Sequence, residues 1–305
     1  MPGATPSLLR RANLHGVART LLMIATLLCA GVSHGEDAAT LRTRAAALHD
    51  LLADNAFRRP LVLDSVQAEG TLTGDVYATV SQPYSVVRPA LQGMDHWCDI
   101  LMLHLNVKIC TQQGTGKNSV LSVAVGRKAN QPLEDAYRLA FGYRVAVDRP
   151  DYLEVRLNAA VGPLNTRDYH IALSAIPLDA RHSFVHLSYS YAYGFAAGVA
   201  MQGYLMTIGR NKVGFSVVAH DAGGLPVYVA GMLGVIERNT MRYYLAVEVY
   251  LAAYTLPPGQ QSERRLRDWF IAIEGYPRQL HELKREEYMT MKQMEITRQR
   301  AARPS

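Results

Sequence analysis

The chain has 305 residues, 49% of them apolar and 19% charged, which excludes wholesale disorder and collagen-like repeats and fits one large or two small domains. Lys plus Arg outnumber Asp plus Glu by 32 to 26, but Arg10, Arg11 and Arg19 fall in a first stretch, residues 1–35, that holds no acid. The remainder carries 29 against 26, too small an excess to point to nucleic acid.

The three arginines precede an apolar run, residues 21–32, which ends in small residues, with Ser33 and Gly35 at the −3 and −1 positions before Glu36. Basic, apolar and small, in that order, is the layout of a cleaved secretory signal. The alternative is a retained anchor, although the run is shorter than the ~20 residues a spanning helix needs. Lipidation at Cys29 lacks the small residues expected just before it. Residues 1–35 are therefore read as a signal peptide, 36–277 as the main domain and 278–305 as a charged C-terminal helix and tail. The mature chain is expected to be periplasmic or secreted. With Cys29 removed, Cys98 and Cys110 remain. In an oxidising compartment they form a candidate disulfide, and otherwise they are two buried thiols.

Leu41, Ala45, Leu48, Leu51 and Leu52 predict a helix over 36–57, ended by Arg58-Arg59-Pro60. From Val66 to Val80 the period changes to two, predicting one long half-buried strand whose glycines permit a bend. Ser81-Gln82-Pro83 predicts a short helix capped by Ser81, with a stripe of Tyr84, Val87 and Leu91. A second short helix is expected from Asp95 to Leu105. Strands follow at Val120–Gly126, Tyr137–Val147, Leu153–Ala159, Asp168–Ile176 and Ser183–Tyr193. Their short turns make neighbours antiparallel, and their alternation buries one sheet face only. Helices are then predicted over Phe195–Ile208, Gly231–Tyr254 and around Leu266-Trp269-Phe270-Ile273. A charged segment follows in which Leu280, Leu283 and Tyr288 pack, frayed beyond Met294.

This order resembles the START-like helix-grip fold, also called SRPBCC or polyketide-cyclase-like. The resemblance is carried by Gly74-Asp75-Val76-Tyr77-Ala78-Thr79-Val80-Ser81-Gln82-Pro83, then Trp97, then the meander, over roughly Val66 to Val218. It implies an α+β domain in which a curved antiparallel sheet grips a long helix around a cavity for apolar molecules, with extra C-terminal helices. Which helix is gripped stays open.

On the last strand, Val185, Leu187, Tyr189, Tyr191 and Tyr193 share one face, and His186, Ser188, Ser190 and Ala192 the other. Inward tyrosines bring hydroxyls that need partners, which a cavity with water or a ligand supplies, as does the rim of an ordinary core. Tyr143, Tyr189, Tyr191 and Tyr193 are the candidate wall. Arg238 and Arg242, at i,i+4, are candidate contacts for an anionic head group, or else a solvated face. His96 and His104 have no metal-site spacing, and no P-loop, dinucleotide or nucleophile-elbow motif occurs. Gly114-Thr115-Gly116-Lys117 reads as a turn. Glu154 and Asp168 fall on outer faces. The leading reading is a binder or carrier of a hydrophobic small molecule or lipid, without cofactor or metal. The alternatives are a cyclase- or hydrolase-type enzyme using the same cavity, or an envelope protein docking through its C-terminal helix.

Overall fold

The computed structural model describes residues 36–195, 198, 199, 203 and 211–302. The expected signal segment and most of the Phe195–Ile208 helix lie outside them. Residues 36–57 form two helices rather than one, α1 (Ala38–Ala47) and α2 (His49–Ala53), and Asp37 caps the first by accepting from Thr40 N at 2.8 Å. Leu41, Leu48 and Leu52 pack with Tyr152, Ile176 and Phe184 on the outer face of the sheet.

Instead of one long strand over Val66–Val80, the chain makes a hairpin of β1 (Leu61–Ala68) and β2 (Thr71–Val80). Gly70, at φ +69°, turns the chain where the alternation runs on unbroken. Periodicity of two is the same in one strand or two, and only the turn residue separates them. On β2, Leu72, Gly74, Val76, Ala78 and Val80 are all buried. The next helix, α3 (Tyr84–Ala90), takes Pro83 as its N-cap, not Ser81, and no side chain caps it. After α4 (Met94–Leu101), which stops short of Leu105, comes a strand absent from the sequence reading, β3 (Val107–Gln113). It is buried on both sides over its first four residues, so it shows no alternation to read.

A meander follows: β4 (Val120–Val125), β5 (Tyr137–Arg149), β6 (Tyr152–Val161), β7 (Thr166–Pro177) and β8 (Ser183–Tyr193). The sheet order is β1-β2-β8-β7-β6-β5-β4-β3, antiparallel throughout. A bulge between Val145 and Val147 turns Val147 to the outer cluster, and Tyr137 is exposed, so the inward face of β5 is Leu139, Phe141, Tyr143 and the half-buried Val145. A separate hairpin pairs β9 (Val217–His220) with β10 (Pro226–Tyr228).

The gripped helix is α5 (Gly231–Ala253). It lies on β2 where the sheet has no side chain: a Cβ on Gly74 would sit 2.3 Å from Thr240 Oγ1. Behind it are α6 (Pro258–Glu274), α7 (Pro277–Leu280) and α8 (Arg285–Ala301). Trp269 of α6 donates its Nε1–H to Arg242 O at 3.3 Å. Contrary to the expected fraying, α8 is ordered to Ala301 and buries Lys292, Glu295 and Gln299 against the loop around β3. There Glu295 accepts from Lys108 Nζ at 2.9 Å and from Lys292 Nζ at 2.7 Å. Cys98 on α4 is joined to Cys110 on β3 by a disulfide, with Cα atoms 5.3 Å apart. The described residues from Glu36 onward cluster as one compact unit, and α8 belongs to it. No helix among the described residues is long and apolar enough to cross a membrane.

Candidate functional site

Register brings the predicted aromatic residues together. Tyr143 stands opposite Leu157, Leu157 opposite Ile171, Ile171 opposite Tyr189 and Tyr189 opposite Gly74, one inward row across five strands. Tyr143, Tyr189 and Tyr191 are buried, and Tyr193 is half-buried. A chain of rings runs from Phe141 to Tyr169 (6.5 Å), Tyr191 (5.2 Å), Tyr189 (5.8 Å), Tyr243 (5.1 Å) and His104 (4.9 Å). The last two come from α5 and from the turn after α4, so the aromatic row bridges the sheet and the helical layer. Tyr169 was recoverable from the alternation Tyr169, Ile171, Leu173, Ala175 on β7. Tyr243 and His104 had no sequence signal, because their approach to β8 is set by how α5 lies across the sheet.

The hydroxyls divide into two groups. Tyr143 donates to Gln92 O, and Tyr193 accepts from Gln67 Nε2 at 3.1 Å. Tyr169 and Thr166 share a hydrogen bond of 2.7 Å. Those of Tyr189, Tyr191 and Tyr243 have no hydrogen-bond partner among the described residues. Burial pushes all three phenols far above their ordinary range. His104 is held well below its usual pKa by burial and then by the charges of Arg242, Lys292, Lys128 and Lys108. Its Nδ1 accepts from Asn106 N at 3.2 Å, so the proton of the neutral ring is on Nε2, which is buried and unpartnered. The site thus presents neutral hydrogen-bond donors amid apolar walls. It can orient a polar tip of an apolar molecule, and it offers no group among these that titrates near neutrality.

The two arginines are not a solvated face. Arg238 is buried and donates to Val213 O at 3.1 Å, while Arg242 is buried and pairs with Glu282 at 2.8 Å. Their neighbour Glu237 is fully buried and holds the loop before β9, accepting from Ser216 N at 3.0 Å and from Ser65 Oγ at 2.8 Å. Glu154 and Asp168 do not form a pair: Glu154 is engaged by Arg156 and Asp168 by Arg167. Gly114–Lys117 lies in the β3–β4 connection. No group of three or more His, Cys, Asp or Glu among the described residues is placed to hold a metal.

The outer face carries a different constellation. His186 lies between Glu36 (3.0 Å) and Asp75 (2.9 Å) and stacks on Tyr77 at 4.2 Å. Burial pushes its pKa down, but the two carboxylates push it further up, to about 9. This cation ties the segment before α1 to β2 and β8.

No family model matches the chain, and no curated protein matches it significantly. Among solved structures, it is similar to a START superfamily protein from Mycobacterium smegmatis, at 9% identity over 44% of this chain and 78% of that one, with a TM-score of 0.30. It is also similar to a norcoclaurine synthase point mutant from Thalictrum flavum, at 15% identity over 48% and 88%, with a TM-score of 0.33. An aromatase/cyclase from a Streptomyces species matches at 13% identity over 71% and 96%, with a TM-score of 0.32. The chain's own strand order, with β2 beside β8 and α5 laid across them, is that of a helix-grip α+β domain carrying an additional edge strand and C-terminal helices.

Proposed function

We propose that this protein binds an apolar, lipid-like molecule with a hydrogen-bond-accepting tip on the concave face of its sheet. The observation that carries this reading is the row of hydroxyls on the buried Tyr189 and Tyr191 and the half-buried Tyr243, open and without a hydrogen-bond partner among the described residues. Hydroxyls that find no partner in the chain yet keep accessible surface amid apolar walls can be met by water or by a guest, and three of them side by side suit the polar tip of an apolar molecule. Phenylalanine would fill the same volume without that capacity. An enzyme of the cyclase or hydrolase type is less well supported, because burial moves the phenols and His104 away from neutral titration in opposite directions. We also propose that the chain is exported and acts in the periplasm or outside the cell, which the Cys98–Cys110 disulfide supports.

Organic extraction and native mass spectrometry of the purified protein test the binding reading, together with fluorescence titration with cis-parinaric acid. A saturable one-to-one complex, weakened about tenfold by Tyr189→Phe with Tyr191→Phe, is the expected result. Absence of any co-purifying or added apolar guest would overturn it. N-terminal sequencing of the mature protein, expected to begin at Glu36, tests the export reading.

A further inference from the structure

Just before α5 the chain makes the β9–β10 ribbon, which pairs with no other strand among the described residues. Its large aliphatic side chains are exposed, Val218 at 62%, Leu225 at 64%, Val217 at 46% and Val227 at 40%. Successive residues of a strand point to opposite faces. All four residues of β9 are exposed, so both faces of the ribbon stand in solvent. A ribbon of two strands is at best marginally stable in water, and a mere connection has no need of clustered valines and leucine.

The root of the ribbon is held firmly. Gly214 N donates to Val229 O at 2.6 Å, and Val229 N to Ser216 O at 2.8 Å. Phe215 N and Ser216 N both donate to Glu237 Oε2, and Ser216 Oγ donates to Glu237 Oε1 at 2.6 Å. Glu237 is fully buried on α5, and its Oε1 also accepts from Ser65 Oγ of β1. A carboxylate removed from water is costly unless its lone pairs are met, and this one is met by the groups that fix the ribbon to the gripped helix. The aliphatic residues therefore project from a fixed base.

Around that base the charge is positive. Arg278 of α7 is exposed, and its guanidinium lies 4.9 Å over the ring of the half-buried Tyr228. Lys212 lies two residues before Gly214, and the carboxylate it reaches, Glu282, is shared with Lys128 and Arg242. The ribbon's own acid, Asp221 in the turn, accepts from Gly223 N and Leu225 N, each at 2.9 Å. Aliphatic groups beyond a collar of Tyr, Arg and Lys match a membrane boundary, where rings and cationic stems reach the headgroups and aliphatic groups enter the acyl layer. A rigid protein surface would cover one face of the ribbon and leave the other wet, whereas the fluid boundary of a bilayer closes around both.

We propose that the β9–β10 ribbon is a membrane-docking element that settles into the headgroup–acyl boundary of an anionic bilayer. Val217, Val218, Leu225 and Val227 lie among the acyl chains, and Lys212 and Arg278 at the phosphates. The ribbon enters obliquely, so that His220 and Asp221 stay at headgroup level. This surface is separate from the aromatic row, and docking does not depend on a guest there.

Flotation of the purified protein with vesicles of phosphatidylcholine, alone or mixed with phosphatidylglycerol, tests it. Binding to both is expected, stronger with phosphatidylglycerol, the excess being removed by salt. Leu225→Asp with Val227→Asp should weaken partition by about tenfold or more. Arg278→Glu should weaken binding to the anionic vesicles by about fivefold or more. The replaced side chains are exposed, and the thermal midpoint without vesicles checks folding. Should the double variant not fold, Leu225→Trp gives an independent reading, because the chain's own Trp97 and Trp269 are buried. The introduced indole should shift to the blue on vesicles and be quenched by lipid brominated on its acyl chains. Absence of flotation with either vesicle, undiminished partition of the folded double variant, or an indole that lipid does not quench would overturn the proposal. A wild-type dimer that the folded double variant converts to monomer in sedimentation would overturn it too, by assigning the ribbon to a second copy of the chain.

Discussion

Where α8 meets β3, the ammonium of Lys108 is met by Leu105 O, Ala129 O and Glu295, and that of Lys292 by His104 O, Val107 O and Glu295. On the concave face, the hydroxyls of the buried Tyr189 and Tyr191 and the half-buried Tyr243 meet nothing among the described residues. Both ammoniums of the first region are matched within the chain, and they hold α8 in place. The second region retains hydrogen-bonding capacity that folding does not use. A buried polar group is informative about function chiefly by what it lacks.

Four measurements would break or sharpen that contrast. The largest effect is expected at the closed region: Glu295→Ala leaves two buried ammoniums without a counter-charge and should cost about 3–5 kcal/mol in urea unfolding. A loss below about 1 kcal/mol would mean that water already reaches the lysines. Next comes His186, whose pKa is raised from 6.5 to about 9. Its contribution is fully present below pH 6.5 and is lost as pH rises through 9, on the order of 3 kcal/mol. Urea midpoints from pH 6 to 10 should show a decline that His186→Gln abolishes. Third is Gly74→Ala, which sets a methyl against Thr240 and should cost about 1–3 kcal/mol by lifting α5 from β2. Smallest is Tyr191→Phe, which should change stability by less than about 0.5 kcal/mol while reducing affinity for an apolar guest. A cost above 1 kcal/mol would show that its hydroxyl is matched in the folded protein after all.

The layer order was legible because alternation on β5 to β8 and the apolar face of α6 follow directly from what each element must bury. The inward direction of Tyr189 and Tyr191 was legible for the same reason, once Ser188 and Ser190 marked the outer side. What escaped was whatever tertiary contact decides. β3 is buried on both sides and has no period. The Glu69-Gly70 turn is silent in a pattern that stays in phase across it. Arg238 and Arg242 looked like a solvated pair because nothing local announces Glu282, forty residues beyond Arg242, or the carbonyl of Val213. Lys292 and Glu295, in a segment expected to fray, are buried because their partners lie on β3 and the turn before it, more than 180 residues away.

The attachment of α8 also governs how the sheet behaves toward other molecules. β3 is the terminal strand, and one of its outward amides, on Cys110, is bound by Gln299, while the carbonyl of Val107 is bound by Lys292. Side chains of a helix thus stand in for the neighbouring strand that is missing on that flank. Cutting the chain before Arg285 would uncover an unpaired β-border, the kind of surface on which foreign segments add and aggregates begin.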